Sequence, residues 1–286
     1  MAEIKVTDDS APLDVVTPVA TESRWVRFRR WLILATLATA LLAPLVFMLA
    51  ALGAKLGLWG FGTGFAITRN VGPLVLGGAI VLGLLTALFA FLVKPRRGFV
   101  VAGLAVAVGL FGFFRLASVQ NTVASLPFIH DITTDTQDPP VFGSAVMAER
   151  NATEGVNTVD YDGKTAPATL PSGERGERLV SALQTQAYPE IRTLVLSEPP
   201  DVVFGRAEQA ARDMGWAIKE ADRAAGRIDA TDTTFWYGFK DDVAIRLRPA
   251  AGSGTRVDVR STSRVGGSDL GANAARIKAF LDAMRE

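Results

Sequence analysis

The sequence predicts an α+β protein in two parts: three transmembrane helices, then an antiparallel-sheet domain packed on helices in a helix-grip-like order. Three observations carry this. Residues 31–119 hold six basic residues and no acidic one, a bias that a wholly soluble chain does not sustain. Inside that region lie three apolar stretches long enough to cross a bilayer of about 30 Å. Beyond residue 200 the pattern changes to short alternating runs bracketed by two amphipathic segments, which is how a sheet covered by helices reads.

Residues 1–23 are rich in Asp, Pro and Thr without an apolar period, and are expected as a disordered cytoplasmic tail. The membrane domain follows at 24–119. Its first span, 31–53, is preceded by Arg24, Arg27, Arg29 and Arg30. The apolar run starts late and exceeds the core of a signal peptide, so it is expected to be retained. Pro44 should kink this helix without ending it, because helix breakers are tolerated in lipid. A loop at 54–71 leads to the second span, 72–93, and the basic turn Lys94-Pro95-Arg96-Arg97 leads to the third, 98–119. So short a turn makes the last two spans an antiparallel hairpin, and glycines on both allow close contact.

Orientation follows from the basic residues. They cluster before the first span and in the 94–97 turn, whereas no Lys or Arg occurs between Val119 and Arg150. The N-terminus is therefore expected in the cytoplasm and residues 120–286 in the periplasm of a bacterial cell, with the spans in the inner membrane. Arg115, the one charge within a span, lies near the outer end and can snorkel.

Residues 120–171 carry closely spaced Pro and Gly and are expected as an extended linker. The periplasmic α+β domain is expected at 172–286. Ser172–Ala187 reads as a helix and Ile191–Leu196 as a short strand. Asp201–Met214 places Val203, Ala207, Ala210 and Ala211 on one helical face. Four strands follow, near 216–221, 227–236, 243–248 and 256–260. In the second, Ile228, Ala230, Thr234 and Trp236 are expected to point inward. Gly252-Ser253-Gly254 is the turn between the last two. A closing helix with Leu270, Ile277 and Leu281 is expected to be capped by Ser268.

Three stretches, FIHDITTDTQDPP at 128–140, GRIDATDTTFWYGFKDDVAIRLRP at 226–249 and VDVRSTSRVGGSDLGANAARIKAFL at 257–281, resemble the family known as domain of unknown function 1499. The resemblance spans most of 120–286. It implies a set of membrane spans followed by one outer domain, and it implies no activity. The element order is also similar to that of helix-grip modules in outer-membrane assembly lipoproteins, an analogy of fold that does not carry function.

Composition excludes several classes. The 286 residues include no cysteine and one histidine, so disulfides, thiol nucleophiles and multi-His metal sites are out. Residues 120–286 hold 19 bases and 24 acids and lack a basic footprint for nucleic acid. No metal or other cofactor is expected.

Three groups of residues could carry function. His130, Asp131 and Asp135 could form a base with its orienting carboxylate, although Asp residues in such a stretch also cap turns. Ser261, Ser263, Arg264 and Ser268 run into a helix N-terminus and could hold an anion, unless Ser268 and Asp269 cap that helix themselves. Phe235, Trp236, Tyr237 and Phe239 could form an interaction surface or membrane-interface anchor, or fill the core. The sequence favours a non-enzymatic, inner-membrane-anchored binding module of the cell envelope, its partners the lipid bilayer and another envelope protein or lipid. The alternative is a membrane-anchored hydrolase using His130, Asp131 and Asp135.

Overall fold

The computed structural model describes residues 22–250, 252 and 254–286. The tail expected at 1–23 lies, up to residue 21, outside the described residues, as does Ser253 of the expected turn.

Three helices come first: α1 (Arg24–Lys55), α2 (Phe61–Leu92) and α3 (Phe99–Ser125). Each is long and apolar enough to cross a membrane. α1 runs unbroken through Pro44. α2 begins well before the expected span, so the loop expected at 54–71 shrinks to Leu56–Gly60. The reason is packing. A Cβ at Gly64 would lie 2.6 Å from the Ala50 carbonyl oxygen, so this glycine, inside the stretch expected as loop, lets α2 press on α1. Thr36 and Thr86 share a hydrogen bond of 2.6 Å across the same contact, glue of the kind apolar helices use in lipid. At the 94–97 turn, Arg29 is buried and donates to the carbonyls of Val93 (2.7 Å) and Pro95. It thereby ties α1 to the exposed carbonyl end of α2.

The remainder forms β1 (Asp131–Thr133), α4 (Ser144–Asn151), β2 (Thr165–Thr169), β3 (Arg175–Leu179), α5 (Val180–Ala187), β4 (Leu194–Leu196), α6 (Pro200–Asp213), β5 (Ala217–Asp222), β6 (Arg227–Thr233), β7 (Lys240–Pro249), β8 (Thr255–Ser263) and α7 (Ala272–Ala283). The antiparallel sheet has the order β1-β8-β7-β6-β5, with β4 pairing the first residues of β8 beyond β1. The chain is thus α+β, with the sheet meander between two helices that the alternation predicts.

α6 and α7 lie on one face. Val203, Phe204, Ala207 and Ala211 from α6, and Ile277, Phe280 and Leu281 from α7, bury against Ile228, Ala230, Val243, Ile245, Val257 and Val259. Trp216 stacks on Phe280 at 5.5 Å. α7 differs from expectation at its start. Asp269, not Ser268, caps it: its carboxylate accepts from the backbone N–H groups of Gly271 and Asn273, each at 2.9 Å. A carboxylate there also faces the positive end of the helix dipole, which a hydroxyl cannot match.

The segment 120–171 departs most from expectation. It is not an extended linker. α3 continues to Ser125, β1 joins the sheet as an edge strand, and α4 and the loops around it cover the face opposite α6 and α7. Ser172–Ala187 also differs, because Arg175–Leu179 pairs with β2 as a hairpin and only Val180–Ala187 is helical. The physical reason is shared. These pieces are too short and too polar to show a period of their own, and they are held by partners outside themselves, β8 for β1 and β2 for β3.

Candidate functional site

Two arrangements stand out: a buried charged layer on the second face of the sheet, and an aromatic hairpin packed on the membrane-capable helices.

Alternation along β6, β7 and β8 sends Asp229, Asp242, Asp258, Arg260 and Arg264 to the face away from α6 and α7. Alternation of this kind ordinarily means solvent, yet all five are buried. The cover is the 134–164 segment, with Phe142 and Val146 packed on Ala244. Asp242 is the hub. It accepts from Arg150 (2.8 Å), from Arg264 through two nitrogens (2.9 and 2.7 Å) and from the Thr231 hydroxyl (2.8 Å). Arg264 continues to Glu149 at 2.9 Å and Glu149 to Lys219 at 2.6 Å. Beside this chain, Arg260 clamps Asp131 with bonds of 2.9 and 2.8 Å and lies over the rings of Phe142 and Tyr161. Burial holds the Tyr161 hydroxyl well above its usual range. Asp229, paired with Arg227 at 2.8 Å, has its carboxyl pushed up by burial. Gly143 passes so close that a Cβ there would sit 2.6 Å from the Asp229 carboxylate.

The first sequence candidates fall within this layer but do not assemble. The Asp131 carboxylate points to Arg260, with Lys164 at 3.6 Å. The Asp135 carboxylate accepts from the backbone of Gln137 and Asp138 and faces Arg246, Arg248 and Arg256. His130 turns elsewhere: its Nδ1 lies 3.3 Å from the Gly267 carbonyl and its Nε2 3.2 Å from the Lys164 ammonium. An ammonium can only donate and a carbonyl can only accept, which assigns the Nδ1–H tautomer. Burial, with Lys164 second, lowers the His130 pKa. The Nε2 lone pair that a general base would use is therefore already engaged. A pocket of about 130 Å³ does touch His130, Asp131 and Lys164, and neither Asp135 nor Arg264 lines it.

The second candidates form no open anion site. Ser261 donates to Asn273 at 2.6 Å, and Ser263 accepts from Asn273 at 3.1 Å. Arg264 is spent on Asp242 and Glu149, Ser268 accepts from the Leu270 N–H at 3.3 Å, and the Asp269 carboxylate occupies the helix N-terminus. Among the described residues no group of three or more His, Asp and Glu side chains could hold a metal ion.

The third candidates do come together. β6 ends at Thr233, so Trp236 is not an inward strand residue; it is half exposed, and Phe235 is 72% exposed. The loop closes with Gly238 N–H donating to the Thr234 carbonyl at 3.0 Å. It places Tyr237 and Phe239 on the domain-side end of α2. Phe61 meets Phe239 at 4.4 Å between ring centroids, and Phe65 meets Tyr237 at 4.9 Å. Lys55, the last residue of α1, donates to the Phe235 carbonyl at 2.7 Å and sits over its ring. Gly238 has φ +70°, and a Cβ there would crowd Lys55. Sequence reasoning missed the receiving side, Phe61 and Phe65, because it read them as loop. It also missed Arg150 and Asp242. The available signal was Asp241-Asp242, two carboxylates side by side opening an apolar strand, where one of them must point into each face.

These features define a membrane-helix protein of the α+β class: three membrane-capable helices carrying one sheet domain with both faces covered. The chain belongs to the family described as "Protein of unknown function (DUF1499)", whose model matches residues 131–284. The match begins at the first residue of β1, so the segment covering the charged face is part of the family's domain. A search of curated proteins finds no match. Among solved structures, CalU16 from Micromonospora echinospora is similar at 17% identity, over 42% of this chain and 84% of that chain, with a TM-score of 0.20.

Proposed function

We propose that the protein is a non-enzymatic, inner-membrane-anchored binding module of the bacterial cell envelope, with its N-terminus in the cytoplasm and its sheet domain in the periplasm. The observation that carries this reading is the seating of the 234–239 hairpin on α1 and α2. Three aromatic contacts and the Lys55 bond hold the domain against the ends of α1 and α2. Phe235 and Trp236 stay exposed there, as do Leu56 and Leu58 of the turn that follows Lys55. An apolar patch at an interface is where a partner or lipid docks. The polar residues that could do chemistry are instead bonded to one another. Arg24–Arg30 and the Lys94–Arg97 turn supply the orientation.

A reporter active only in the periplasm should be on when fused after Glu286 and off when fused at Pro95; the opposite pattern sinks the orientation. For the role, Phe235→Ser/Trp236→Ser should fail to complement a deletion strain's envelope phenotype, while His130→Ala should complement it. The reverse result would promote the hydrolase.

A further inference from the structure

We propose that the domain-side half of the helix bundle holds one phospholipid, an acyl chain in the cleft between α1, α2 and α3 and its phosphate on Arg115. The cleft has a volume of about 430 Å³, within the range of ligand pockets, about 300–1,000 Å³. Its wall rises along α3 from Val108 to Val119, about 16 Å at about 1.5 Å per residue. That length and volume match one acyl chain and not a whole two-chain lipid. Its depth is apolar, with Phe47, Leu76 and Phe111 as walls. Polar groups stand only toward the domain: Arg115, Thr68 and the Tyr237 hydroxyl, which lies 3.4 Å from Thr68 Oγ1.

Three features separate this cleft from an ordinary gap between helices. Arg115, an exposed cation, stands among the residues around it, in a part of the chain where residues 31–119 supply no carboxylate to neutralise it. Charges within a membrane span are costly unless they find a counter-charge, and the anion abundant at this depth is the lipid phosphate, which a guanidinium binds with paired donors. Tyr237, reaching in from the sheet domain, closes one wall, so lipid occupancy and the seating of the domain share a residue. And Gly72 lets the Phe47 ring lie against α2 as a wall of the cleft, since a Cβ there would lie 2.8 Å from that ring. The inference deepens the binding reading above and rests on it for membrane embedding only; the reporter fusions test that embedding separately.

The test uses the full chain in maltoside micelles and a phosphatidylglycerol carrying a photoactivatable acyl chain. Cross-links should map to Phe47, Leu76 and Phe111. Arg115→Gln should lower the yield about tenfold, as expected for one lost charge-assisted bond, and Arg115→Lys should restore most of it. Val108→Phe, which fills the cleft and leaves the cation, should also lower it. Labelling spread evenly over lipid-facing residues such as Leu84 and Phe114 would overturn the proposal. So would equal labelling by a diacylglycerol probe with the same chains, or an Arg115→Gln protein of correct topology that labels as wild type.

Discussion

The two faces of the sheet are both buried, and by opposite chemistry. The face under α6 and α7 is lined by Ile228, Val243, Ile245, Val257 and Val259 and is held by apolar burial, which needs no partner geometry. The face under α4 is lined by Asp242, Arg150, Arg260 and Arg264 and is held only because every charge meets another at bonding distance. Desolvating such ions costs several kcal/mol each, and the pairing returns roughly that amount. The apolar face is thus a source of stability. The charged face adds little net stability and ties the 134–164 segment to the sheet through defined partners, Arg150 to Asp242 and Glu149 to Arg264.

The sharpest way to break this comparison is to remove the cover. A fragment of residues 172–286 keeps α6, α7 and the sheet strands β4–β8 but loses β1 and α4, and with them Asp131, the counter-charge of Arg260, Glu149, one of the two carboxylates on Arg264, and Arg150, a partner of Asp242. It should show no cooperative unfolding transition, whereas 128–286 should unfold cooperatively in denaturant. A well-folded 172–286 fragment would mean that the charged face tolerates water and that its burial is incidental.

Point substitutions sharpen it further. Asp242→Ala strands Arg150 and Arg264 in a dry site and should cost about 3–5 kcal/mol by chemical denaturation, the range for breaking one partner of a buried pair. Replacing all three (Asp242→Leu, Arg150→Met, Arg264→Met) should be close to neutral, because no buried charge of the cluster is left to desolvate and Glu149, partly exposed, keeps Lys219. On the apolar face, Ile245→Ala should cost about 2–5 kcal/mol by cavity formation, and no compensating partner change should recover it. If the triple variant is as unstable as Asp242→Ala, the distinction between the faces fails.

A smaller effect is expected where the domain meets the helices. A double-mutant cycle on Phe65→Ala and Tyr237→Ala should give a coupling of about 0.5–1.5 kcal/mol, the range for aromatic pairs. A coupling near zero would mean that the hairpin rests on α2 without binding it.

The smallest effect is the titration of His130 at the rim of the charged layer. Its pKa is lowered by burial and by Lys164, so the unfolded chain binds the proton more readily than the folded one. Stability from this group is therefore complete above the ordinary value of about 6.5 and is lost as pH falls from there toward the folded pKa. Between pH 7.5 and 5.5 the Tm of wild type should fall, and that of His130→Gln should fall less. Identical pH profiles would place His130 in contact with solvent.

The parts whose forces are local were legible in the chain. Three apolar stretches, the alternation of β6, β7 and β8, and the faces of α6 and α7 each announce their burial through a period, because a helix or strand repeats its facing every few residues. The sequence also supplied the aromatic cluster, though not its destination. Tertiary structure alone decided three things. It made 134–164 a lid on the sheet, since a charge alternating with apolar residues reads as solvent-facing until its counter-charge arrives from a distant segment: Arg150 to Asp242, Arg260 to Asp131. It extended α2 back to Phe61, where Gly64 serves helix contact and not a loop. And it separated His130 from Asp131 and Asp135, since neighbours along a strand point to opposite faces and a turn carries the third residue away. Adjacency in a chain is not adjacency in space, and only pairing across the sheet settles which charges meet.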